Sequence, residues 1–598
     1  MEPTHNITSI ELPQEVTTPL FKIAKDIDQY GLFMSDNQIW LETGEKKKYF
    51  KSVSNFKISI ILHLHDDKFP SKLIKISNVR NEDRIFDVPA NALSSLDKLQ
   101  AILANQGNYV FSGSSADFKK LTAFLYDKMN VGKKIEVLGW QEIEKFWVWN
   151  NRVNLCNGNH LEIDKYGCFT YNHLTYNLPS ANRCNSVYNS YEAQKKFIYI
   201  KSEIDIKNLF TEVLNVHGTK SISAILFSIA SIFSDFIYSK VQGFPILFLY
   251  GGTGSGKSQL AFFCQRFFGK EQTPYHLENG VSTKVASVRE LAQFKNGIGH
   301  LSEYKPNLKD IDGLVKGIWD RNGYKRGVRD SRTATEEIPI SSAAIITGNY
   351  YPNDEALITR LIWIEINKNE HNDNEKIKYQ KLEKLMTGGL SFITDQLLEN
   401  RSRFEKSFYD LYNQSIIELP KFTNSIISRL DQNLSILLAT YKVFEKDDIF
   451  PFTENEILAH FEEIVAQQIS KLNTNSKIKK WWECFLICYK SVGFENKIVE
   501  FEDFRINGNL LYFNFSNIYG KIQRQWSTQY KSAIPSNSDF MTAIKESKDF
   551  IEIKANFRIR SGSKANPTSV YCIDLSKNEI HDDFFEFKGS LDNRNSII

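Results

Sequence analysis

The 598-residue sequence predicts an α/β core on a parallel sheet, with an α+β accessory region before it and a helical, winged-helix-like region after it. Three observations predict this. An unbroken apolar run, Ile246–Tyr250, leads into the glycine-rich stretch GGTGSGKS at residues 251–258 and then into a helix-like segment. A run apolar on both faces suits a parallel strand covered by helices. From there to about residue 368, strand-like and helix-like segments alternate, the order that builds a parallel sheet.

Composition bounds the rest. Hydrophobic residues make up 42% and charged residues 24%, the balance of a globular chain. The 74 Lys and Arg against 71 Asp and Glu leave +3, so any nucleic-acid surface has to be local. None of the seven Cys forms a CxxC pair, which excludes a zinc ribbon. With no signal-peptide pattern, a reducing cytoplasm is expected. The most apolar stretch, residues 221–250, is broken by Ser, Asp, Lys and Gln, so no membrane span is expected.

Residues 1–20 read as a flexible N-terminus and 21–200 as the α+β accessory region. In the latter, IWLETG, KISIILHLH and KLIKISNV have strand character, and residues 92–106 look helical. Residues 201–370 form the expected core. Residues 371–500 turn helical: Ile457, Leu458, Phe461, Ile464, Val465, Ile469 and Leu472 recur at helical spacing. Residues 501–580 order strand, helix, helix and hairpin like a winged helix, with Ser536 to Ser538 as a helix cap. Residues 581–598 read as a tail, either frayed or a packed strand.

The chemistry starts at the glycine-rich loop. Gly251, Gly252, Gly254 and Gly256 let consecutive backbone N–H groups face one anion, with Thr253 and Ser255 between them. The helix starting near Lys257 adds its positive dipole end. Lys257 can reach the β- and γ-phosphates of ATP, and Ser258 can offer a hydroxyl to Mg²⁺. Glu303 ends a second strand-like segment, where an acid can polarise water or help hold the metal. Asn349 follows a third, where an amide can position water. Arg360, with no acid near it in sequence, is a candidate arginine finger for a neighbouring subunit.

The set GGTGSGKS, LSEY, IITGNYYPND and ALITRLIWI resembles the superfamily 3 helicases, a branch of the AAA+ ATPases. It is most similar to the domain of unknown function 927 family of phage and mobile-element primase-helicases. ANALSSLDKLQAILANQGNYVFSG, and Gly139-Trp140 followed by FWVW, extend the resemblance to roughly residues 50–370. It implies a P-loop ATPase core of AAA+ type that drives translocation on single-stranded DNA as a ring, usually a hexamer. It assigns Lys257 and Ser258 to phosphate and Mg²⁺, Glu303 to catalysis, Asn349 to sensing and Arg360 to the finger. The family pattern has two adjacent acids where this chain has Ser302 before Glu303. No primase segment is legible, so priming would fall to a separate polypeptide.

Arg321, Lys325, Arg326, Arg329 and Arg332 crowd five cations into twelve residues, where superfamily 3 enzymes place a basic hairpin. Cations at a pore neutralise phosphates without reading sequence, and Tyr324 could stack on a base. Lys554, Arg558, Arg560 and Lys564 offer a second basic surface on the wing. The alternative is a nucleotide-dependent AAA+ switch or defence sensor that assembles without unwinding DNA. A small-molecule kinase is a weaker rival, for want of an Arg-rich lid.

Overall fold

The apolar runs become the central sheet. The computed structural model describes residues 16, 18–44, 47–66, 69–183, 191–277, 284–305, 309–327, 335–352, 354–367, 373–423, 428–475, 477–491, 496–547, 549–560, 567–578 and 580–595. Among them, five parallel strands lie in the order Tyr275–His276, Ile298–Tyr304, Ala343–Gly348, Ile246–Tyr250 and Leu361–Glu365. Strand Ile246–Tyr250 has a strand on each edge and an apolar cluster on each face, which explains why it is apolar throughout. Leu247, Leu249, Ile345, Ile362 and Ile364 enter one apolar cluster. Ile246, Phe248, Ile346, Leu361 and Trp363 enter the cluster on the other face. Parallel neighbours need crossovers, and helices such as Lys257–Arg266 and Lys309–Trp319 supply them.

The segment Ile206–Ile232 is long and apolar enough to cross a membrane by length and composition. A 3-10 turn at Gly218–Lys220 interrupts it, and every residue of helix Ser221–Ile232 is buried in the core. Its serines are satisfied internally: Ser228 Oγ donates to Ala224 O and Ser231 Oγ to Phe227 O, while Ser223 Oγ meets His460 Nε2.

The cores do not divide at residues 200 and 370. Strands Leu138–Gln141, Phe146–Val148, Arg152–Asn154 and His160–Glu162 form a sheet that Phe294–Lys295 joins, parallel to the first. That junction needs Gly139, at φ 95°, since a Cβ there would lie 1.9 Å from Lys295 O. One apolar cluster takes in Leu138, Ile225, Leu260, Leu397 and Phe461. Buried charges tie the same regions: Trp149 Nε1 donates to Asp395, which also pairs with Arg152. Arg401 pairs with Asp235 at 2.6 Å and lies over the Trp140 ring.

Ahead of this body, strands Phe56–His65, Ser71–Asn78 and Asp83–Pro89 join a mixed six-stranded sheet. Helices Leu96–Gln106 and Ser115–Asp127 pack on it around Ile58, Ile76, Leu99 and Leu121. The helix expected at 92–106 starts later, where the Ser95 side chain caps it, behind a 3-10 turn at Ala90–Leu93.

The C-terminal unit has its own core, starting at Trp481 in helix Lys477–Lys490. Strands Phe504–Asn507, Leu510–Phe513, Thr568–Asp574 and Phe550–Phe557 make one antiparallel sheet. Helices Phe515–Tyr530 and Asn537–Glu546 pack with it, the second capped by Ser536 accepting from Asp539 N. The chain end is neither frayed nor a strand: His581–Asn595 is helical. Asp582 and Asp583 suit a helix N-terminus, and Phe584 is fully buried beside Tyr489 and Phe504.

Candidate nucleotide site

The site forms where strand tips meet. Strand Ile246–Tyr250 ends at Gly251, and helix Lys257–Arg266 begins after Gly256, whose φ of 91° turns the chain into it. A Cβ on Gly252 or Gly254 would meet nothing within 4 Å among the described residues, and Gly254 lines a cavity at the loop. The Ser255 hydroxyl is buried with no hydrogen-bond partner among the described residues. An open glycine-lined loop ahead of a helix N-terminus fits a phosphate chain.

Lys257 Nζ donates to Gly251 O and Gly252 O at 2.7 Å each and to Asn349 Oδ1 at 3.1 Å. Burial holds its ammonium below the ordinary lysine range, and the Glu303 carboxylate opposes that shift. Lys257, Asn349 and Glu303, spread over 46 and 92 residues from the lysine in sequence, therefore share one neighbourhood. Topology explains it. Strand Ala343–Gly348 lies between the other two strands, so its tip falls between loop and acid. Gly348 pairs with Tyr250 on one side and Tyr304 on the other, and its carbonyl accepts from Gly251 N.

Glu303 is aimed by a bulge. Leu301 pairs with Ile346 and Tyr304 with Gly348, so three steps on one strand face two on the other. Glu303 takes φ 58°, a region a residue with a side chain enters at a cost. Its side chain is exposed, whereas Ser302 is buried. The Ser302 hydroxyl lies 3.3 Å from Tyr275 O and 3.2 Å from His276 Nδ1, on the neighbouring edge strand. Behind the acid, His300 Nε2 meets Thr347 Oγ1 at 3.0 Å, and burial pushes His300 down to about 4.

Arg360 stands elsewhere. Its carbonyl accepts from Ile246 N, at the start of the strand whose other end feeds the loop. The expectation that it lacks a local acid is supplemented by a distant one: Asp320 Oδ2 lies 3.3 Å from its Nη2, and the guanidinium lies over Trp319. Asp320 is 40 residues earlier in the chain, too far for a local reading to pair them. Arg429 flanks the same ring.

The basic stretch splits. Tyr324–Gly327 and Thr335–Ile338 form a hairpin with Lys325 opposite Glu337 and Arg326 opposite Glu336. Arg329 and Arg332 lie outside the described residues. Arg321 does not belong with them: its guanidinium donates to Ser234 Oγ, covers Tyr238, and is pushed down to about 10 by burial. In the C-terminal unit, Arg560 pairs with Glu502 and Lys554 lies over Tyr512 and Phe557, while Lys564 lies outside the described residues.

A cavity of about 500 Å³ opens from the loop, bounded by Gly254–Ser258 on one side. The end of helix Ile206–His217 and the start of helix Asp373–Met386 form its other walls. These walls were not foreseen from sequence, because they lie on segments far from the motif. A signal existed: both helices carry apolar stripes that run on past their buried turns.

No protein-family model matches the sequence, and no curated protein matches it. Among solved structures, the SCCmec type IV Cch active helicase aligns at 14% identity over 92% of this chain and 99% of that one, with a TM-score of 0.59. The apo NrS-1 C-terminal region aligns at 14% identity over 69% and 90%, with a TM-score of 0.23. A JCV helicase aligns at 10% over 47% and 72%, with a TM-score of 0.17. The near end-to-end match with the first shows that this chain has a helicase-like fold with an α/β ATPase-like core.

Proposed function

We propose that the protein is an ATP-driven motor on single-stranded DNA, of superfamily 3 and AAA+ type, working as a ring in replication of a phage or mobile element. The observation that carries this reading is the meeting of Lys257, Asn349 and Glu303 at adjacent strand tips beside an open glycine loop. A lysine for phosphate, an amide for water and a carboxylate on a bulge are the parts that nucleoside triphosphate hydrolysis needs. The likeness in fold to a protein described as an active helicase supports the motor part of the reading.

Lys257 and the loop N–H groups bind and orient the triphosphate. Asn349 holds the attacking water, and Glu303 draws a proton from it. Ser258 and Glu303 would hold Mg²⁺; one hydroxyl and one carboxylate, completed by water and phosphate oxygens, suit that ion. When bound, it neutralises charge on the phosphate oxygens. In a ring, Arg360 serves the neighbouring site by exchanging Asp320 for phosphoryl oxygens. Tyr324, Lys325 and Arg326 of the basic hairpin line the DNA path, and Arg329 and Arg332 add to its cations. The C-terminal unit acts as a winged helix, and a separate primase supplies primers.

A switch that binds nucleotide without unwinding is the second reading, favoured by Ser302, which stands where a second acid is expected and turns to the edge strand. ATP hydrolysis measured with and without single-stranded DNA tests the first reading. Hydrolysis stimulated by DNA and lowered at least about 100-fold in Lys257→Ala is expected. Hydrolysis indifferent to DNA would favour the switch.

A further inference from the structure

We propose that Gln468 and Asn433, two buried amides on helices that follow the sheet, are positioning residues for Arg360 and fix it for its work on the neighbouring subunit's nucleotide. This rests on the reading of Arg360 as an arginine finger and adds what holds it in place.

Arg360 sits at a change of structure. Helix Glu355–Ile358 ends just before it, and strand Leu361–Glu365 starts directly after it. A helix end leaves its last carbonyls without helical partners. The strand lies at the edge of its sheet among the described residues, so one side has a neighbour and the other does not. Arg360 O accepts from Ile246 N on the neighbour's side. Successive carbonyls on a strand point to opposite edges, so that of Leu361 points away from Ile246. Buried carbonyls need donors, and here three of them surround one arginine.

Two amides supply the donors. Gln468 Nε2 donates to Ile358 O and to Leu361 O at 3.1 Å each, and so spans Arg360. Asn433 Nδ2 donates to Thr359 O at 3.1 Å, and its Oδ1 accepts from Trp319 Nε1 at 3.1 Å. The Arg360 guanidinium lies over that Trp319 ring. Asn433 thus holds both the backbone before the arginine and the surface under its side chain. Both amides are buried, on stripes that are otherwise apolar. Gln468 follows Phe461, Ile464 and Val465 in helix Glu454–Asn475, and Asn433 stands among Leu430, Leu434 and Leu437 in helix Ser428–Phe444. An amide in such a place costs free energy unless its hydrogen bonds are made.

The guanidinium itself is held by contacts it can exchange, Ala356 O at 2.7 Å and Asp320 Oδ2 at 3.3 Å. A fixed backbone with an exchangeable side chain lets Arg360 pass from Asp320 to a phosphoryl group with its position already set.

ATP hydrolysis by mixed assemblies tests this. Lys257→Ala keeps the finger and loses its own site, and Arg360→Ala keeps its site and loses the finger. A mixture of the two is expected to hydrolyse ATP, since each supplies what the other lacks. Gln468→Met keeps the side-chain volume and removes the N–H donors. Added to the Lys257→Ala partner, it is expected to lower the restored rate about tenfold. Added to the Arg360→Ala partner, which has no finger to position, it should leave that rate intact. Equal losses in both placements would mark a general effect on folding or assembly and overturn the proposal, as would no loss in either. A mixture that restores nothing would overturn the finger reading, and the proposal with it. In the otherwise unaltered chain, Gln468→Met should lower kcat with KM for ATP retained; a raised KM at unchanged kcat would contradict a role in the transition state.

Discussion

Glu303 shows how much one backbone angle decides. A left-handed φ for a side-chain-bearing residue costs on the order of 1 kcal/mol, and here it follows from a bulge that turns the carboxylate out while Ser302 stays in. Glu303→Gly removes the steric cost and Glu303→Ala does not. Glu303→Gly is therefore expected to be more stable than Glu303→Ala by about 1 kcal/mol, read by urea denaturation. Both should hydrolyse ATP on the order of 100-fold slower while still binding it. Equal stability of the two variants would show that the bulge stores no strain. The place of Glu303 near the end of a strand was legible in sequence, since it closes a strand-like segment after the loop. Its bulge was not, because φ 58° normally advertises itself through Gly or Asn, and LSEY contains neither.

At the scale of elements, what was legible follows the strength of local patterning. Ile246–Tyr250 and the loop could be placed from chemistry alone, and helix Glu454–Asn475 from its apolar spacing. The hairpin was expected as a cluster of cations, and the structure refines it: Lys325 and Arg326 stand on a strand facing Glu337 and Glu336, while Arg321 is held in the body. Charge spacing cannot tell an arginine held in the body from an exposed one, because the contacts of Arg321 come from Ser234 and Tyr238 on a distant helix. On the proposed DNA path, Lys325→Ala with Arg326→Ala should weaken single-strand binding and flatten its log–log salt dependence by about 1.4, two phosphate contacts' worth. A salt titration superimposable on wild type would remove the hairpin from that path.

Over the whole molecule, sequence reading was weakest at the seams. The sheet pairing of Leu138–Gln141 with Phe294–Lys295 spans more than a hundred residues. The Asp235–Arg401 and Arg152–Asp395 pairs span as far. Such contacts bind the strands ahead of the core, the sheet and the following helices into one body. The most direct test is strand separation on a forked DNA substrate, followed by fluorescence, with wild type and Glu303→Gln. Separation that needs ATP, fails with ADP and fails in Glu303→Gln is the predicted result. ATP hydrolysis by wild type with the duplex left intact would contradict the motor and leave the nucleotide switch in its place.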